Sequence, residues 1–314
     1  MKKISAVIAC FKDEQAIPYL YKRLTETFRK IKVDYEIIFV NDGSPDNTEQ
    51  VLIEIVMEDD HVVAINHSRN FGSQMAFTSG MDIASGDAVV LLDGDLQDPP
   101  EIIEEFYKKW LEGFDVVYGV RVKREAPLFM QIAYKIFYRI FHKFSYIKIP
   151  LDAGDFSLMD RKVVDVLKQI TERDRFLRGL RAWVGFKQIG VPYIRPERMF
   201  GKTTNNLWKY FNWATKGILS FTYFPLELMT LISLFTFVVA LIGIVVQIIL
   251  KFIRPETPQG ATTILVVILF IGAIQLLGIS ILGQYIGKIF EEVKQRPKYV
   301  VKSIFRNRAD KDSS

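Results

Sequence analysis

The chain has 314 residues, 49% of them hydrophobic, and a formal net charge of +5, which is length for one large domain or two small ones with ample material for a core. Its single cysteine, Cys10, excludes an intrachain disulfide and any all-cysteine metal site. The basic excess gathers beside apolar stretches, which points to anionic lipid as its partner and away from nucleic acid.

Met1-Lys2-Lys3 leads into a short apolar run and then Lys12-Asp13-Glu14, without the apolar segment and cleavage site of a signal peptide. The amino-terminal part is therefore expected to stay where it is made. Ile4–Ala9, Tyr35–Val40, Val62–Asn66 and Ala88–Leu92 are short, β-branched-rich runs that predict strands. Helical patterns lie between them at 16–30, 48–58 and 72–85. That alternation predicts successive β-α-β units, an α/β fold and a mostly parallel sheet.

In such sheets ligands collect beyond the carboxyl ends of the strands. Polar clusters fall on that edge after each predicted strand: Cys10 to Glu14, Asn41-Asp42-Gly43-Ser44, Ser68 to Gly72, and Asp93-Gly94-Asp95. No GxGxxG follows the first strand, so a dinucleotide cofactor is disfavoured. Residues 93–100 read DGDLQDPP, two carboxylates one residue apart at the end of a buried strand. Such a pair suits a hard divalent cation, Mg²⁺ or Mn²⁺, which takes one or two carboxylates plus substrate phosphates.

A further strand is expected at Val116–Gly119, followed by Arg121 and Arg124, whose guanidinium forks suit phosphate oxygens. Leu128–Phe144 and Leu207–Phe221 mix aromatic and basic residues, as helices lying in a headgroup plane do. Leu228–Leu250 carries no ionisable side chain, and Thr262–Ile286 is interrupted only by uncharged polar residues. At 1.5 Å per residue each spans a hydrocarbon core of about 30 Å. Lys202, Lys209 and Lys216 precede the first span, and Lys288, Lys294, Arg296, Lys298, Lys302, Arg306, Arg308 and Lys311 follow the second. Only Lys251 and Arg254 lie between, so both ends are expected in the cytoplasm.

Together, VNDGSPDNT at 40–48, SRNFG at 68–72, DGDLQDPP at 93–100 and GDFSLMDR at 154–161 resemble the inverting family 2 glycosyltransferases. More narrowly they resemble the branch that holds dolichol-phosphate mannose synthase and the bactoprenol glucosyltransferases, and the likeness covers nearly the whole chain. The resemblance implies a GT-A type catalytic domain over 1–200, an interfacial segment over 201–225, two transmembrane helices within 226–288 and a basic cytoplasmic tail over 289–314 of a multi-pass protein of the cell inner membrane. It implies transfer of a hexose, glucose from UDP-glucose, to undecaprenyl (polyprenyl) phosphate with inversion, using Mg²⁺ or Mn²⁺.

By the same resemblance Asp42 contacts the base or ribose, Ala9, Glu14 and Arg69 line the nucleotide site, and Asp93 lies near the ribose and the metal. Asp95 and Gln97 are the implied direct metal ligands. Arg121 and Arg124 meet the diphosphate or the acceptor phosphate, and Asp155 is an active-site carboxylate near the acceptor. Arg195, Arg198 and Lys202 stand for the family's phosphate-binding segment. Here the sequence departs from the pattern, because Thr203 is followed by Thr204 and Asn205 where a lysine is expected, and Lys202 stands two positions early. A phosphate monoester is largely dianionic at neutral pH, its second pKa lying near 6, so Asp155 is expected to position sugar or acceptor more than to remove a proton.

Two alternatives are weaker. A processive polysaccharide synthase carries Gln-x-x-Arg-Trp, which the nearest segment, Leu180-Arg181-Ala182-Trp183, lacks, and two spans are too few for a polymer channel. A non-enzymatic lipid-binding or transport component would not need Asp93, Asp95 and Gln97 intact, and neither span carries the ionisable residue of an ion-coupled pathway. Gly272, Ala273, Gly278 and Gly283 leave room for helix contacts in a homo-oligomer.

Overall fold

The computed structural model describes residues 2–122, 153–196, 199–200, 222, 224–253 and 260–307. The chain divides into two compact units: Met1–Tyr138, Ile147–Tyr210 and Arg296–Ser314 form one, and Arg139–Tyr146 and Phe211–Gln295 the other. Both stretches read as interfacial helices, 128–144 and 207–221, lie outside the described residues, as do Arg124, Arg198 and Lys202.

In the first unit β1 (Lys3–Cys10), β2 (Asp34–Asn41), β3 (Val62–His67) and β4 (Ala88–Asp93) alternate with α1 (Ile17–Ile31), α2 (Thr48–Glu58) and α3 (Ser73–Ile83). Then come α4 (Ile103–Leu111), β5 (Val116–Arg121), β6 (Ala153–Asp160), α5 (Arg161–Gln169), α6 (Leu177–Trp183) and β7 (Gln188–Tyr193), with β8 (Val301–Arg306) near the carboxyl end. The eight strands form one sheet in the order β7-β5-β6-β4-β1-β2-β3-β8. The four central strands are mutually parallel, β6 runs antiparallel to both its neighbours, and β7 is parallel to β5. The α/β expectation therefore holds, in a mixed sheet whose centre is parallel.

The local chemistry explains these elements. β1, β2 and β4 are almost wholly buried because helices cover both faces of a parallel sheet, so they read as continuous apolar runs. α1 opens with Pro18 in its first turn and ends at Lys32 in the left-handed conformation. Its residues Ile17, Leu20, Leu24 and Phe28 form one buried stripe at helical spacing. α3 lies close against the sheet because Gly80 has no Cβ, which would collide with Val7.

The carboxyl-terminal segment differs from the expected basic tail. β8 pairs antiparallel with β3 from Val63↔Arg306 to His67↔Val301. Strand alternation turns Ser303 and Phe305 inward and Lys302, Ile304 and Arg306 outward, so the charges that mark a tail in the sequence occupy one face of an edge strand. Charged residues on such an edge also discourage pairing with another chain.

In the second unit, α7 (Phe224–Ile253) and α8 (Ala261–Val293) are 30 and 33 residues long. Within them, Phe224–Gly243 and Phe270–Val293 are apolar enough to cross a membrane and wholly unburied in the structure. Gly278 of α8 faces Met229 of α7, whose Cε would be 3.0 Å from a Cβ there, and Tyr285 donates to the Thr222 carbonyl at 3.1 Å.

Candidate active site

Strand direction decides where the chemistry collects. The carboxyl ends of β1 to β5 and β7 and the amino ends of the antiparallel strands β6 and β8 share one edge of the sheet. The strand order reverses at β1, flanked by β4 on one side and β2 on the other, which is the switch point where α/β sheets open a crevice. Gly94 donates to the Ala9 carbonyl at 2.9 Å across this opening. A Cβ on Gly94 would lie 3.0 Å from Asp13 Oδ2 and 3.1 Å from Cys10 Sγ, so the acidic motif presses on the loop after β1.

The acidic motif is dense. Asp93 ends β4, Asp95 is buried, and Asp98, to which the sequence assigns no role, is buried as well. Burial, then the neighbouring Asp98, Asp95 and Asp155, push the Asp93 carboxyl well above its ordinary range. Asp95 Oδ1 accepts from the Gln97 amide at 3.1 Å, and Gln97 Nε2 donates to the Pro196 carbonyl at 3.3 Å. Arg195 lies between carboxylates, with Nη2 3.9 Å from Asp95 and Nε 4.0 Å from Asp98. Its buried Nε has no hydrogen-bond acceptor among the described residues. Asp98 accepts from Tyr193 Oη at 2.6 Å, and Arg121 Nε donates to that Tyr193 oxygen at 3.4 Å. The motif, Tyr193, Arg121 and Arg195 thus form one network.

Asp155, near the amino end of β6, is fixed from two sides. Arg178 of α6 donates through Nε to Oδ1 at 3.1 Å and through Nη2 to Oδ2 at 3.2 Å. Gln74 of α3 donates to Oδ2 at 3.2 Å and accepts from the Leu177 amide at 2.8 Å, tying α3 to the start of α6. Burial raises the Asp155 carboxyl pKa, but Arg178, Arg181 and Arg121 outweigh it and hold the group below the usual carboxylate range. Arg181 is itself buried, donates to the Gly154 carbonyl at 3.3 Å, and is pushed down to about 10 by desolvation.

At the other end of the crevice Asp42 turns into the protein. Its carboxylate bonds His67 Nδ1 at 2.8 Å and accepts from the amides of Phe71 and Gly72 at 2.9 and 2.7 Å. With a side chain 3% exposed, it builds the Ser68–Gly72 loop. Gly43, at φ +63°, packs so closely on that loop that a Cβ would meet the Arg69 carbonyl carbon at 2.5 Å. Arg69 lies over the Phe71 ring at 4.1 Å. Glu14 accepts from the Asn47 amide at 2.8 Å and so joins the loop after β1 to the start of α2.

Of the residues read from sequence, Ala9, Glu14, Asp42, Arg69, Asp93, Asp95, Gln97, Arg121, Asp155 and Arg195 are all on or beside this edge. The side chains of Gln74, Asp98, Arg178, Arg181 and Tyr193 belong to it too, without having been singled out for it. Arg178 and Arg181 carried a signal, being three apart on one helix face. Gln74 and Tyr193 carried none, since only packing of α3 and β7 brings them in.

Comparison with known proteins identifies the family. Residues 5–167 match the model of glycosyl transferase family 2. The chain is 42% identical over 308 residues to a glycosyltransferase of Synechocystis, covering 96% of each chain. It is also 42% identical over 307 residues to the SfII prophage-derived bactoprenol glucosyl transferase of Shigella flexneri, covering 97% of this chain and 99% of that one. Among solved structures, mannosyl-3-phosphoglycerate synthase from Rubrobacter xylanophilus aligns at TM-score 0.47 and 16% identity over 68% of this chain and 71% of that one, too loosely to bear on mechanism. With its polar groups gathered at the switch point between β1 and β4, where open α/β sheets bind ligands, the chain belongs to glycosyl transferase family 2.

Proposed function

We propose that the protein transfers a hexose from a nucleoside diphosphate sugar, UDP-glucose, to a polyprenyl phosphate. The observation that carries this reading is likeness to a bactoprenol glucosyl transferase over 97% of the chain, a span that takes in both long apolar helices. The site chemistry supports it. A leaving nucleoside diphosphate and an incoming lipid phosphate are both anionic, and Arg121, Arg178, Arg181 and Arg195 surround the crevice with cationic donors.

The donor set also fits Mg²⁺ or Mn²⁺. Among the described residues no group of three or more His, Cys, Asp or Glu is gathered to hold an ion. Asp93, Asp95 and Gln97 are the residues that would hold it, and substrate phosphates would have to supply the remaining ligands, as is usual for Mg²⁺. Such an ion offsets charge on the departing diphosphate. The crowded carboxylates around Asp93, set against Arg195 at 3.9 Å or more, favour a cation there.

In this reading the polyprenyl phosphate oxygen attacks the anomeric carbon directly as the bond to the diphosphate oxygen breaks, inverting the configuration. The electron pair leaves with the nucleoside diphosphate. Asp155, held by Arg178 and Gln74 and kept anionic, orients sugar or acceptor. Ala9, Glu14 and the Asp42-built loop with Arg69 face the nucleotide. Because β8 and the strands before α7 share one sheet, two crossings return the chain to the side it left, in keeping with a cytoplasmic catalytic unit in the inner membrane.

The test is transfer of radiolabelled sugar from a panel of UDP- and GDP-sugars to undecaprenyl phosphate by purified protein, with Mn²⁺ or Mg²⁺ and with chelator. Metal-dependent label in the lipid phase from UDP-glucose is expected. No transfer from any donor by folded protein would reject the reading.

A further inference from the structure

The segment after α8 is built into the loop beyond β3 by more than strand pairing. The Ser68 amide donates to the Val300 carbonyl at 2.9 Å, and Asn66 Nδ2 donates to Ser303 Oγ at 3.2 Å. Lys298 Nζ donates to the Ile170 carbonyl at 2.6 Å, and Tyr299 Oη to Asp82 Oδ2 at 2.6 Å. The Tyr299 ring, anchored in this way, stacks on the His67 imidazole at 5.3 Å with 15° between planes. Phe71 meets the same imidazole edge-on at 5.7 Å. His67 has a fully buried side chain, with Nδ1 at 2.8 Å from Asp42 and Nε2 at 2.8 Å from Ser79 Oγ. Asp42 in turn holds the amides of Phe71 and Gly72.

We infer that Tyr299 is a positioning residue for the donor nucleotide: its ring fixes His67, His67 fixes Asp42, and Asp42 fixes the Ser68–Gly72 loop that carries Arg69. The inference rests on the reading that this loop faces the donor. Each link is a short contact between buried or half-buried groups, so a looser ring at Tyr299 reaches Arg69 with few intervening degrees of freedom. Tyr299 stands six residues after Val293, the last residue of α8, so the chain returning from the apolar helices itself completes the nucleotide end of the crevice. At the acceptor end, the bonds of Asp155 to Arg178 and Gln74 are separate from these, although Gln74, Ser79 and Asp82 all belong to α3. Loss of the ring should accordingly act on donor affinity and leave turnover at saturating donor unchanged.

The experiment uses the full-length protein with Tyr299→Ala, Tyr299→Leu and Lys302→Ala. Lys302→Ala, on β8 three residues after Tyr299, removes the exposed pair with Glu49 of α2 at 3.0 Å and leaves the ring in place. Three quantities are read: kcat and KM for the nucleotide sugar, affinity for UDP by calorimetry with Mn²⁺, and the unfolding midpoint. Tyr299→Ala and Tyr299→Leu should each weaken UDP and raise KM by about three- to tenfold with kcat unchanged, the size of a lost aromatic stack, while Lys302→Ala stays within about twofold. Unchanged UDP affinity in folded Tyr299→Ala overturns the inference, and if that variant does not fold, Tyr299→Leu decides by the same criterion. Equal weakening by Lys302→Ala also overturns it, since strand docking alone would then be responsible. Wild-type protein that binds no UDP and transfers nothing would count against the functional reading beneath it.

Discussion

Asp155→Asn, combined with Arg178→Met in a double-mutant cycle, tests whether Asp155 is a positioning group or a base. The two bonds between Asp155 and Arg178 are 3.1 and 3.2 Å long, and the side chains are 12% and 18% exposed. Breaking a buried pair costs about 3–5 kcal/mol, and residual solvent contact lowers the expectation to about 2–3 kcal/mol for either single change. Because each change removes the same interaction, the double variant should fall short of the sum by about 1–3 kcal/mol. The pH dependence has a definite sign. The folded carboxyl is held below its usual value by Arg178, Arg181 and Arg121 against the opposing effect of burial. Its contribution is therefore complete above the unfolded value near 3.9 and fades as pH falls through the lower folded value. The wild-type advantage over Asp155→Asn should accordingly be present at pH 7 and shrink below about pH 4. Denaturant unfolding in detergent measures both effects, and label transfer at saturating polyprenyl phosphate measures turnover. Additivity within about 0.5 kcal/mol would refute the coupling. A fall of about 10²–10⁴ in turnover by folded Asp155→Asn, the size of a general base's contribution, would refute the positioning role.

Gly43→Ala should be severe for its size: left-handed backbone costs a residue with a Cβ about 1–2 kcal/mol, and the new methyl would meet Arg69 backbone at 2.5 Å. Lower stability and weaker UDP binding together, by denaturant titration and calorimetry, are expected; wild-type values for both would mean that the Ser68–Gly72 loop does not need this close approach. Asp95→Asn should shift half-activation by Mn²⁺ upward by about tenfold or more, read from transfer against metal concentration. An activation curve that overlays the wild type would remove Asp95 from the ion's ligands.

Several features were legible in the residues alone. Continuous apolar runs at β1, β2 and β4 announce strands buried on both faces, and the placement of Asp93, Asp95 and the other polar clusters just past them locates the crevice. The two long uncharged stretches were legible because composition and length suffice for them, although α7 and α8 run past the expected ends at Leu228 and Ile286. These are properties of period and position along the chain, which a sequence carries directly.

Tertiary structure decided what depends on contacts between distant residues. The resemblance implies a nucleotide contact for Asp42, but nothing in its own stretch shows that its carboxylate also holds His67, Phe71 and Gly72, whose donors reach it only through loop closure after β3. Gln74 and Arg178 lie 81 and 23 residues from Asp155 in sequence and nothing local links them to it. The segment 301–306 reads as a basic tail because its inward residues, Ser303 and Phe305, are too few to set a pattern against Lys302 and Arg306; only the unpaired edge of β3 makes it a strand. Periodicity can state which face of an element is apolar, but the partner of a buried polar group is chosen by the packing that surrounds it, and that choice is not written in any one stretch of the chain.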